Sequence, residues 1–96
     1  MARIIIEPQN ANNVKSLVKS AVENEIKIIG FGIGKTKKKL EELEKKFGMD
    51  TAHFYKKFNE GEMGDDLEYI RWAGEYETLQ KLKRDHNDLV ETELCS

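Results

Sequence analysis

The chain predicts a mainly α-helical fold: a short N-terminal strand, a long helix, a short helix and a second long helix folded back as a hairpin. Three observations carry this. Apolar residues recur at helical spacing through two long stretches. The only proline, Pro8, stands near the start and leaves everything after it free to be helical. Glycine and acidic or amide residues cluster where such helices would end, around residues 48–51 and 59–66.

"ARIIIEP" opens the chain with three consecutive isoleucines and closes on Pro8, which reads as a strand over residues 2–7. A lone strand must pair with something, and a copy of itself in a homodimer is the obvious partner. "QNANN" follows, with Asn10, Asn12 and Asn13 all suited to cap a helix. The apolar positions are then Val14, Val18, Val22, Ile26, Ile29, Ile33, Leu40, Leu43 and Phe47. With Thr36 included, the steps from 22 to 47 alternate four and three, a heptad seam of coiled-coil type. The four-residue steps before it read as a stutter. One helix over residues 11–47 is expected, although "GFGIG" allows a break near 30–34 and a βαβα arrangement. Lys45, Lys46 and Gly48 suit its C-terminal end. Asp50 or Thr51 would cap a short helix over 51–58 presenting Phe54, Tyr55 and Phe58. Asp65 and Glu68 have capping-box spacing for a last helix over 66–92, with Ile70, Ala73, Tyr76, Leu79, Leu82, His86 and Leu89 on its stripe. The strand and the heptad seam are the expected dimer contacts.

Ninety-six residues make one domain, 1–96. Its apolar share of 39% builds a modest core, and its charged share of 35% is well above the usual quarter. No apolar run approaches the roughly 18 residues of a membrane span, and no signal peptide is expected. The single cysteine, Cys95, has no partner for an internal disulfide, which suits a cytoplasmic setting. The net charge of −2 hides an asymmetry. Residues 1–48 hold 10 basic against 6 acidic side chains, and residues 49–96 hold 6 against 12. The halves can therefore attract each other within a chain or between chains.

Several stretches resemble chemical motifs. "IKIIGFGIGKTKKKL" runs three glycines into Gly34-Lys35-Thr36, but a phosphate loop needs a glycine five residues before Gly34, where Ile29 stands. Lys35, Lys37, Lys38 and Lys39 could grip nucleic-acid phosphates, though no aromatic platform lies beside them. Glu60, Glu62, Asp65, Asp66 and Glu68 crowd nine residues without the spacing of a calcium loop. His53 and His86 belong to no Cys/His cluster, so neither a metal nor another cofactor is expected. Glu75 and Tyr76 could face a cleft, yet no nucleophile setting accompanies them. Tyr69, Trp72 and Tyr76 place three large aromatics on two helical turns, either as core or as interface anchors.

Residues 20–84 resemble a group of small uncharacterised prokaryotic helical proteins. The resemblance rests on "ENEIKIIGFGIGKTKKKLEELEKKFGM" and "FYKKFNEGEMGDDLEYIRWAGEYETLQKL", most specifically Asp66 to Tyr76. "GFGIG" departs from the pattern, which carries helix formers there. Such proteins are often taken as antitoxin-like members of toxin–antitoxin modules, which implies protein binding and brings no catalytic residues. The expected function is therefore a non-enzymatic interaction module whose acidic half masks a basic protein partner. Glu62, Asp65, Asp66, Tyr69, Trp72 and Tyr76 are the candidate partner-binding residues. A nucleic-acid-binding regulator using Lys35, Lys37, Lys38 and Lys39, or a small enzyme, is the alternative.

Overall fold

The computed structural model describes residues 11–95, leaving aside the side chain of Cys95, and these residues form three helices. The expected strand over residues 2–7 lies outside the described residues. Helix α1 runs unbroken from Ala11 to Phe47 and passes straight through Gly30, Gly32 and Gly34. Helix α2 spans Thr51–Asn59, and helix α3 spans Leu67–Cys95. The glycine-rich stretch of residues 26–40 is thus neither a phosphate loop nor a strand and turn. The apolar seam continues in phase across it, and burial of that seam outweighs the low helix propensity of glycine.

Helix α1 ends where Gly48 takes a positive φ of 63°, the left-handed conformation that glycine adopts without a Cβ penalty. Its amide donates to the Glu44 carbonyl at 2.8 Å, and the Met49 amide reaches the same oxygen at 3.3 Å. Asp50 then caps α2, its side chain accepting from the His53 amide at 3.4 Å. The Glu44 carboxylate of α1 accepts from the Thr51 amide at 2.7 Å and so satisfies another open donor of the same helix end. Asp66, rather than Asp65, caps α3. Its Oδ1 accepts from the Glu68 amide at 2.8 Å and its carbonyl from the Ile70 amide at 3.0 Å.

Helices α1 and α3 lie antiparallel. Three cross-helix pairs fix the register: Lys46 with Glu68 at 2.6 Å, Lys39 with Glu75 at 3.5 Å, and Gly32 against Leu82. Each pair is seven residues from the next on both helices, as a heptad seam requires. The seam expected as a dimer contact is therefore occupied within the chain. Ile29, Thr36 and Leu40 are buried there, with Ile33, Leu43 and Phe47 packed alongside. On α3 the stripe differs from expectation at one point. Ile70 is exposed, and Trp72, two residues on and off the expected stripe, is buried beside Ala73.

The core concentrates at the closed end of the hairpin, where α2 crosses the two long helices. Trp72 and Phe54 are both fully buried and stack at 3.8 Å between centroids with 5° between planes. Phe47 stacks on Trp72 at 5.3 Å. The indole Nε1 donates to Thr51 Oγ1 at 3.0 Å, so the buried polar edge of Trp72 is satisfied. The other end of the hairpin is thin. The radius of gyration is 19.3 Å with extents of 60 × 28 × 19 Å, whereas a compact chain of this length would have about 12.5 Å.

Candidate partner-binding site

The acidic residues singled out in the sequence gather at the closed end of the hairpin. Between α2 and α3 the chain turns at Gly61 and Gly64, with φ of 77° and 78°. The loop carries Glu60, Glu62, Asp65 and Asp66, all exposed. Asp66 is committed to capping α3. The side chains of Glu60, Glu62 and Asp65 make no hydrogen bond or ion pair among the described residues.

The acids beyond the loop behave differently, because α1 and α2 answer them. Glu68 pairs with Lys46, Glu75 with Lys39, and Glu77 accepts from the Tyr55 hydroxyl at 2.9 Å. The charge asymmetry between the two halves is thus partly spent inside the hairpin. Such exposed pairs contribute roughly 0–1 kcal/mol each, so they set register more than stability. The Glu77 carboxylate holds the Tyr55 phenol above its ordinary pKa of 10.0, because the hydroxyl that donates to it resists losing its proton.

The aromatic candidates divide. Trp72 has 0% exposure and cannot touch a partner in this packing, so it is a core residue and not a surface anchor. Tyr69 is half-buried, edge-on to Phe47 at 5.3 Å and next to the acidic loop. Tyr76 is half-buried against Tyr55 at 4.7 Å. It stands ten residues past Asp66, about 15 Å along the helix, so it does not join the acidic face. Glu62, Asp65, Asp66 and Tyr69 are therefore brought together, and Trp72 and Tyr76 serve the platform behind them.

Among the lysines, Lys35, Lys37 and Lys38 are exposed and Lys39 is held by Glu75. His86 is half-buried on α3 and His53 is exposed on α2. No group of three His, Cys, Asp or Glu residues that could hold a metal occurs among the described residues, and no described helix is long and apolar enough to cross a membrane. Two roles at the closed end have no counterpart in the sequence reading, which took Thr51 only as a possible cap. Thr51 receives the Trp72 hydrogen bond, and Glu44 caps α2 from a neighbouring helix. Neither role has a local signature, since each depends on how α2 lies across the hairpin.

No family model, curated protein or solved structure matches the chain.

Proposed function

We propose that the protein is a non-enzymatic interaction module that uses its acidic closed end to cover a basic surface on a protein partner. The supporting observation is that Glu60, Glu62 and Asp65 stay exposed and without polar partners, while the neighbouring acids are engaged inside the hairpin. Behind the loop lies the stacked Phe47–Trp72–Phe54 core, which packs together α2 and α3, the two helices that flank the loop. In the antitoxin-like version of this reading, the partner is a small nuclease whose basic, RNA-binding cleft is blocked electrostatically. Opposed charge of this kind steers association and excludes partners of the wrong sign.

The test is capture of partners by the full chain from an extract of its own cells, compared with the triple variant Glu60→Lys, Glu62→Lys, Asp65→Lys. These three side chains support nothing in the fold, so far-ultraviolet circular dichroism should be unchanged. A stoichiometric basic protein bound by the parent and lost by the variant is the expected result. Equal capture by both would sink the proposal. Nucleic acid that elutes with rising salt would instead move the function to Lys35, Lys37 and Lys38, because phosphate contacts weaken through counterion uptake.

A further inference from the structure

The open end of the hairpin holds a groove of about 680 Å³ between the first turns of α1 and the end of α3. Ala11, Val14, Val18 and Val22 line it from α1, and Thr92 and Glu93 from α3. The three valines stand four residues apart, the spacing that makes a ridge along one side of a helix. Val18 is 56% exposed, and Val14 and Val22 are half-buried. Helix α3 is too short to cover this row. Continuing the seven-residue register from Gly32–Leu82 sets Glu25 opposite Leu89, so α3 ends near the level of Val18.

We propose that the groove seats the chain's own N-terminal segment, residues 2–6, extended and folded back antiparallel to α1. Residues 1–10 lie outside the described residues, and their attachment, length and order assign the segment to this place. Ala11 itself lines the groove, so residues 8–10 are a tether of three. So short a tether holds the segment beside the groove at roughly millimolar effective concentration, against which any other occupant must compete. Pro8 disfavours helical geometry at Glu7, which turns the chain off the α1 axis there. Extended chain advances about 3.3 Å per residue, so residues 2–6 span about 13 Å, and Val14 and Val22 are about 12 Å apart along the helix.

The side-chain spacing agrees as well. Alternate residues of an extended segment recur about every 6.6 Å on one side, and residues four apart on a helix rise about 6 Å. Ile6, Ile4 and Ala2 therefore meet Val14, Val18 and Val22 one to one, while Arg3, Ile5 and Glu7 turn the other way. Only side chains are buried in this arrangement. The backbone edge stays open to water, so the segment needs no second strand to pair with. The acidic closed end plays no part, because it lies at the opposite end of α1.

Disulfide trapping in the full chain tests the placement. Ile4→Cys is combined with Val18→Cys, or with Ser20→Cys on the opposite face of α1, each in a Cys95→Ser background at low micromolar concentration. Mild oxidation should give an intramolecular disulfide, with the Val18 pair forming about tenfold faster than the Ser20 pair, because only the first brings the sulfurs within bonding geometry. Equal rates would overturn the proposal, and so would a disulfide-linked dimer as the main product, which would give the segment to a second copy. A second measurement needs no thiols. Ile4→Ser with Ile6→Ser should speed amide exchange over residues 14–22 about tenfold while leaving residues 36–47 unchanged. Unchanged exchange over residues 14–22 would overturn the proposal too.

Discussion

Replacing the three helical glycines one at a time separates propensity from packing. A Cβ on Gly30 or Gly34 would meet nothing within 4 Å, whereas one on Gly32 would stand 3.4 Å from Leu82 Cδ1. Glycine in a helix interior costs about 0.8–1 kcal/mol relative to alanine, because its unfolded backbone has more freedom to lose. Gly30→Ala and Gly34→Ala should therefore each stabilise the chain by about 1 kcal/mol, and together by about 2 kcal/mol. For a chain of this size each kcal/mol raises Tm by roughly 4–8 °C. Gly32→Ala should gain less, since the new methyl sits at the tight edge of ordinary contact and Leu82 must yield slightly. Urea unfolding followed by far-ultraviolet circular dichroism, at one protein concentration throughout, reads all three. A loss of stability in Gly30→Ala or Gly34→Ala would refute the continuous helix, for it would mean that those positions hold a conformation or a neighbour that a methyl group disturbs. The crowding at Gly32 has its own check: in a Leu82→Ala background, Gly32→Ala should recover the full gain.

Three further outcomes follow from the closed end. Thr51→Val keeps the shape but strands the buried Trp72 Nε1, and should cost about 1–3 kcal/mol in urea unfolding. Asp66→Ala removes the acceptor for the Glu68 amide and should cost about 1 kcal/mol, whereas Asp65→Ala, one residue earlier, should cost almost nothing. Tyr55 titrates above its ordinary value because protonation preserves its hydrogen bond to Glu77. Its contribution to stability is thus full below about pH 10 and lost as the pH rises through the folded value. The stability difference between the parent and Tyr55→Phe should shrink in that alkaline range, and Glu77→Gln should bring phenolate absorbance in at lower pH.

The helices were legible because their signals are local and redundant. Val22 to Phe47 hold one phase for seven steps, and three glycines could not interrupt it. Gly48 marked the end of α1 because a positive φ suits glycine there. Tertiary assignment was harder. A heptad seam states that a helix lies alongside and leaves open whose helix it is, so the seam expected between two chains closes between α1 and α3. Ile70 and Trp72 show the same limit. Both lie on plausible apolar stripes of α3, and α2 decides between them by placing Phe54 where an indole can stack. The acidic loop was visible as a cluster, but which acids are engaged depends on Lys39, Lys46 and Tyr55, which are remote in sequence.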